Sequence, residues 1–176
     1  MLNQITFTHM SKRRSPLSMP FAASPFAGIP ENSRLLLDTQ MCFALYSASL
    51  TMTKVYKPLL ARLGLTYPQY LVLLVLWEQD ERNVSELGER LFLDSGTLTP
   101  LLKRLEALDF ISRRRDTTDE RRVVVALSPA GKRLRKQALA VPQHVACATT
   151  CSPPELKSIT QQLVKLRGAL TTSLEA

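Results

Sequence analysis

Cysteine, histidine and long apolar runs are scarce in this 176-residue chain, and each scarcity removes a class of protein. Three cysteines are too few to staple a fold of this size. Their odd number, without an export signal, points to a reducing, cytoplasmic compartment and to thiols that are buried, reactive or metal-bound. A structural zinc site is not expected, because no CxxC pair occurs and the two histidines, His9 and His144, lie far apart. No cofactor is called for. No stretch approaches the ~20 apolar residues of a membrane helix. The longest, Tyr70 to Trp77, is core-sized, so no membrane partner is expected. No internal repeat occurs. The N-terminus loosely imitates a secretory signal, with Lys12-Arg13-Arg14 ahead of small and apolar residues. Pro16, Pro20 and Pro25 break any apolar helix there. Residues 1–33 are read as a disordered arm.

What the chain has is positive charge and helical periodicity. Lysine and arginine number 23 against 15 acids, giving a net charge of +8 and a pI near 9.8. That balance suits a polyanionic partner. The length allows one ordinary domain, residues 34–176, with a proper core. Leu37, Met41, Leu45, Ala48, Met52 and Val55 recur at helical steps, predicting a helix over about 36–57 with Asp38 in its first turn and Pro58 ending or bending it near Lys57. Pro68 to Trp77 reads as a second helix, apolar nearly all round and therefore buried. Glu78 to Asn83 reads as a charged loop.

Ser85 is the expected N-cap of a short helix, Glu86 to Leu91, and Asp94 or Ser95 that of the next, Ser95 to Glu106. Leu98, Leu101, Leu102 and Leu105 of the latter turn inward. Ser95, Thr97, Thr99, Lys103 and Arg104 stay outside. Pro100 fits only in or just after the first turn. β-rich runs at Phe110-Ile111 and Val123–Leu127 flank a charged hairpin tip, Arg113 to Arg122. Two short helices, the second with hydroxyl and basic residues outward, followed by such a hairpin, form a winged helix-turn-helix. This head spans about 68–127. The fold class is mainly α with a small β-hairpin.

Ser128-Pro129 starts a basic helix running to about Val141, whose charged face, Lys132 to Lys136, is read as solvated. The segment from Cys147 to Cys151 favours no regular structure. A last helix begins at Ser152-Pro153-Pro154-Glu155 and presents a seam of Leu156, Ile159, Leu163, Leu166 and Leu170 suited to another subunit's helix. Helices over about 36–57 and 142–174 are thus expected to pair two copies. A symmetric homodimer would place two heads on a pseudo-palindromic double-stranded DNA operator.

The run Asp119-Glu120-Arg121-Arg122-Val-Val-Val-Ala-Leu-Ser-Pro-Ala-Gly resembles the wing and following helix start of MarR-type regulators. The stretches Leu37 to Ser49, Gly64 to Tyr70 and Leu93 to Glu106 resemble OhrR, the branch that senses organic hydroperoxides. The resemblance covers about Leu36 to Leu174. It implies a repressor that leaves its operator when a reactive cysteine is oxidised by an organic hydroperoxide. Cys42 matches the peroxide-reacting cysteine, and Tyr56 and Tyr67 match tyrosines that hydrogen-bond it across the dimer. Cys147 takes the place of the resolving cysteine of the two-cysteine subgroup, on the partner subunit. Asp119 and Arg121 match a wing-tip pair, with Asp119 stabilising the wing.

The residues support parts of this reading. A thiolate attacks a peroxide, and the start of a helix favours negative charge. Tyr46 is within reach of Cys42 along one helix. Tyr56 is not, since fourteen residues of helix rise ~21 Å, so the antiparallel partner chain is its expected source. Cys147, in an unstructured link, would move to meet Cys42; Cys151 is the alternative resolving thiol, or a bystander. For DNA, Lys103 and Arg104 suit phosphate or guanine, Ser95, Thr97 and Thr99 suit phosphates or base edges, Arg113, Arg115 and Arg122 suit phosphates, and Arg121 the minor groove. Two other functions fit the same residues. One is a MarR-type regulator switched by a small phenolic or anionic ligand. The other is a thiol peroxidase, for which the basic head has no use.

Overall fold

The computed structural model describes residues 28, 30–117, 119 and 121–175. Most of the expected arm (residues 1–27 and 29), hairpin-tip residues 118 and 120, and residue 176 lie outside the described residues. The chain divides into two compact units, Met1–Tyr46 and Ser47–Ala176.

In the first unit the backbone makes two 3-10 turns, Glu31–Leu35 and Leu37–Thr39, before helix α1 (Met41–Ala61) begins. Periodicity alone places that start at Leu36. The structure delays it because polar side chains bond locally: Thr39 Oγ1 donates to the carbonyls of Ser33 (3.0 Å) and Leu36 (2.8 Å), and Gln40 Nε2 to that of Leu36 (3.1 Å). Asp38 therefore sits in a 3-10 turn. Nor does Pro58 end α1. It lies inside the helix on an exposed face, where water can take the Lys54 carbonyl it leaves unserved.

The second unit is built on α2 (Tyr67–Glu78). Gln69 anchors its start by accepting from Thr66 N (2.8 Å) and Thr66 Oγ1 (3.0 Å). Val72, Leu73 and Leu76 are fully buried, as the all-round apolar pattern requires. The expected charged loop after α2 contains strand β1 (Arg82–Asn83), which pairs antiparallel with the wing. Helix α3 (Val84–Leu91) is capped by Asn83, not Ser85: Asn83 Oδ1 accepts from Glu86 N at 2.8 Å and Glu86 Oε2 from Asn83 N at 3.2 Å. Helix α4 (Ser95–Ala107) buries Leu98, Leu102 and Leu105 and leaves Pro100 exposed in its second turn.

Strands β2 (Ile111–Arg115) and β3 (Val123–Leu127) pair Ile111 with Leu127 through Arg115 with Val123, in a sheet ordered β1-β3-β2. The arginine run expected at the tip is thus strand. Its place follows from register, because five residues on each side must pair. Helix α5 (Pro129–Ala138) starts on Ser128, whose Oγ accepts from Gly131 N at 3.0 Å, and it stops short of Val141. Helix α6 (Ala140–Ala148) follows, with Val141 and Val145 in the core and Pro142 at its third residue, where an N–H would have no intrahelical partner. Helix α7 (Pro153–Glu175) buries none of its residues. Among the described residues no helix is long and apolar enough to cross a membrane.

Two glycines test the packing. A Cβ at Gly131 would meet the Phe110 carbonyl oxygen at 2.0 Å, whereas at Gly168, within α7, it would meet nothing within 4 Å. Gly131→Ala is expected to cost about 3 kcal/mol and Gly168→Ala to gain ~0.5–1 kcal/mol. Urea unfolding at matched protein concentration reads both; equal midpoints for the two variants would contradict the packing described.

Candidate redox site and nucleic-acid interface

All three thiols are free. Cys42 is the second residue of α1 and exposed, and Tyr46, one turn on, is exposed as well. Cys147 is exposed too, but it is not in an unstructured link. It occupies the last turn of α6, which continues that far because Val141 and Val145 are held in the core. Beyond the left-handed Thr150 (φ 57°), Cys151 is half-buried, and its thiol donates to the Thr149 carbonyl at 3.4 Å. Of the two C-terminal thiols, Cys147 is therefore the accessible one.

The second unit brings Tyr56 and Tyr67 together, and with them a residue that sequence reasoning missed. Tyr56 of α1 lies 4.6 Å from Tyr67 and 6.1 Å from Tyr70, ring centre to ring centre; Tyr70 in turn meets Trp77 edge-on at 6.2 Å. Tyr70 follows Tyr67 by three residues, hence on the same helix face, and that spacing was the available signal. Burial, then the neighbouring phenols of Tyr67 and Tyr70, pushes the Tyr56 hydroxyl up to about 12. Burial also pushes Tyr67 and Tyr70 up. The cluster therefore keeps its protons near neutrality and can act as hydrogen-bond donors. Cys42 and Tyr46 belong to the first unit, Cys147, Cys151 and the phenol cluster to the second.

The outer face of α4 carries Ser95, Thr97, Thr99, Lys103 and Arg104, all exposed. Asp94 settles which residue caps it: its carboxylate accepts from Thr97 N and Thr97 Oγ1, both at 2.9 Å. Those hydrogen bonds, the backbone one first, hold the Asp94 carboxyl below the usual range. Thr99 Oγ1 donates back to the Ser95 carbonyl at 2.7 Å.

On the wing the arginines divide by their partners. Arg113 donates Nε to Glu106 Oε2 at 2.9 Å, and this hydrogen bonding lowers the Glu106 carboxyl. Arg114 pairs with Glu81 at 3.0 Å. Asp119 pairs with Arg122 at 3.3 Å and accepts from the backbone N of Arg121 at 3.1 Å. Asp119 and Arg121, the expected wing-tip pair, thus meet through the Arg121 backbone, while the Asp119 carboxylate also reaches the next guanidinium. Among the described residues no carboxylate pairs with Lys103, Arg104, Arg115 or Arg121. Thr99, Arg113, Arg121 and Arg122 line one groove of about 620 Å³ between wing and helices, opposite Glu86 and Glu89. Asp80 fastens the wing to the head, accepting from Leu127 N at 2.8 Å and pairing with Lys132 at 3.2 Å. Lys132 makes this pair while staying exposed on the solvated face expected of it. Among the described residues no cluster could hold a metal ion.

Residues 54–138 match the family model described as transcriptional regulator SarA/Rot. The chain is 46% identical over 139 residues to the organic hydroperoxide resistance transcriptional regulator of Bacillus subtilis (strain 168), covering 79% of this chain and 90% of that one. It is 48% identical over 134 residues to the HTH-type transcriptional regulator TtmR of Methylorubrum extorquens (strain PA1), covering 76% and 69%. Among solved structures it is similar to AbfR of Staphylococcus epidermidis. The overoxidised form bound to DNA superposes with a TM-score of 0.65 at 33% identity, over 80% of this chain and 99% of that one. The disulfide form gives 0.55 at 34%, over 77% and 95%.

The phenol cluster has a signature at high pH. Raised from 10.0 to about 12, Tyr56 keeps its proton in the folded chain after the unfolded chain has lost it. Its contribution to stability is intact below the unfolded value and is lost as pH rises through the folded one. Between those values the urea midpoint is expected to fall more steeply for the wild type than for Tyr56→Phe, and the variant should lose the last phenolate step in ultraviolet titration. Parallel stability profiles would remove Tyr56 from the buried cluster.

Proposed function

The chain belongs to the MarR family of transcriptional regulators, in its organic-hydroperoxide-resistance branch, and on that basis we propose that it is a homodimeric DNA-binding repressor released by oxidation of Cys42. The observation that carries this reading is the free, exposed Cys42 thiol in the first turn of α1, in a chain 46% identical to an organic hydroperoxide resistance regulator. The Cys42 thiolate attacks the terminal oxygen of an organic hydroperoxide ROOH; the O–O bond breaks, the sulfur becomes a sulfenic acid, and the leaving alkoxide RO− takes up a proton to become the alcohol ROH. Condensation with Cys147 of the partner subunit then forms the disulfide and releases water. Tyr56 and Tyr67, protonated donors, serve the peroxide site from the partner chain, and Tyr46 from the same chain.

The accessibility of Cys147 supports it over Cys151 as the resolving thiol. Its helical setting changes how the bond would form. A disulfide needs Cα atoms within ~7 Å; where the resting thiols of the two subunits stand farther apart than that, α6 has to shift or lose its last turn, and either motion displaces the elements joined to it. Pairing of two copies rests on apolar residues left open on the single chain: Met41 and Met52 on α1, and Ile159, Leu163 and Leu170 on α7. Such a dimer sets two α4 helices one DNA turn apart, ~34–36 Å. Lys103, Arg104, Arg115 and Arg121, without a carboxylate partner among the described residues, are available to meet phosphates or base edges, with Ser95, Thr97 and Thr99 beside them. Arg113 and Arg122, held by Glu106 and Asp119, contact DNA while shaping the wing. One observation favours a second mode of control by a small anionic or phenolic ligand. An apolar slot of about 220 Å³ is lined by Tyr70, Leu74, Trp77 and Leu139, with Arg135 among its lining residues.

A duplex enriched from a random pool by the reduced protein supplies the operator. Stoichiometric cumene hydroperoxide should release it and yield a subunit-linked dimer on a non-reducing gel, whereas salicylate should do neither. Cys42→Ser should bind the duplex and ignore the peroxide; a variant still released would place the switch elsewhere. Arg121→Ala should weaken binding and reduce the salt slope by about one. An unchanged affinity and slope would strike Arg121 from the interface.

A further inference from the structure

Phe92 occupies a costly position. It ends α3 with left-handed backbone angles (φ 57°, ψ 40°), a conformation that glycine or asparagine adopts most easily, and the residue is 63% exposed. The turn around it is tight. Leu93 N donates to the Gly88 carbonyl at 3.0 Å, and a Cβ at Gly88 would meet the Leu93 carbonyl oxygen at 2.9 Å. Two residues beyond Phe92, Asp94 caps α4. The ring is therefore fixed to the start of the helix whose outer face carries the DNA-binding candidates.

Something meets that ring. The guanidinium of Arg167, on α7, stands over it 4.2 Å from the centroid. Arg167 lies one turn past Leu163, on the flank of the seam proposed to pair with the partner subunit. Elsewhere α7 buries nothing in its own chain. We infer that Arg167 and Phe92 form the contact through which α7 sets the α3–α4 turn, and with it α4, in the DNA-competent position. Arg167 is thus a positioning residue, not a DNA contact. The inference rests on the DNA-binding reading above. It adds a route by which a change in subunit pairing reaches the recognition helix without passing along the wing.

The test uses the full-length reduced protein, the variants Arg167→Gln and Phe92→Leu and their double, and the conservative variants Arg167→Lys and Phe92→Trp. Binding is measured on the duplex enriched by the wild type. Arg167→Gln and Phe92→Leu should each weaken binding by about two- to fivefold, the range of one exposed cation–π contact. The double variant should lose no more than either single. Arg167→Lys and Phe92→Trp should stay near the wild type, and the salt slope should be the same throughout, because no phosphate contact is removed. A double-mutant cycle in urea unfolding reads the contact without DNA. Additive losses there, or wild-type affinity in both single variants, would overturn the inference, as would a lower salt slope in Arg167→Gln. If the wild type enriches no duplex, it is the DNA-binding reading itself that fails.

Discussion

Helix α2 carries apolar side chains all the way round, and such a helix is stable only inside. Val72, Leu73 and Leu76 have no access to water, and around them gather Leu87 of α3, Leu98, Leu102 and Leu105 of α4 and Val125 of β3. Each such side chain contributes about 1.5–3 kcal/mol when fully buried. The consequence is directional. With its leucines committed to α2, α4 can present only its hydroxyl and basic side outward. β3, fixed by Val125, can only project its hairpin beside that side. The exposed chemistry of the head is what remains after α2 has been covered.

Charge is arranged around this core in two layers. One layer is structural: Asp80 holds the end of β3 and the start of α5, Glu106 and Glu81 hold Arg113 and Arg114 along β2, and Asp119 closes the wing turn onto Arg122. Exposed pairs of this kind add little stability individually. Their effect is to assign arginines, so that the wing keeps a shape and only some of its cations stay open. The other layer is those open cations, Lys103, Arg104, Arg115 and Arg121, on one basic chain of net charge +8. The same logic separates the thiols. Cys42 and Cys147 are exposed, while Cys151 is turned toward its own backbone.

The exposed thiols and the exposed basic surface are carried by different elements. The thiols sit at the start of α1 and the end of α6, and the basic surface belongs to α4 and the wing. In the proposed switch, the connection between them is mechanical. The apolar seams of α1 and α7, open in the single chain, are where a second copy would act, and the Arg167–Phe92 contact joins α7 directly to the turn before α4.

The sequence by itself determined whatever depends on near neighbours. Periodicity located α2, α4 and α7, a cap at Asp94 or Ser95 marked where α4 begins, and the β-rich run of Val123 to Leu127 marked β3. Cys42, Tyr56 and Tyr67 were singled out chiefly through resemblance, since a lone thiol or phenol has no local pattern. Tertiary structure decided the rest. β1 is two residues long and exists only because β3 offers it hydrogen bonds. α6 exists because two valines find the core. Some ion pairs depended on carboxylates distant in sequence, as with Arg114 and Glu81, 33 residues apart. Leu127 and Asp80 are 47 apart, and Trp77 and Gly131 are 54 apart. Helical spacing and capping are written within a turn or two of chain, whereas ion pairs, ring clusters and short strands are energies of contact that come into being only when the chain has folded back on itself.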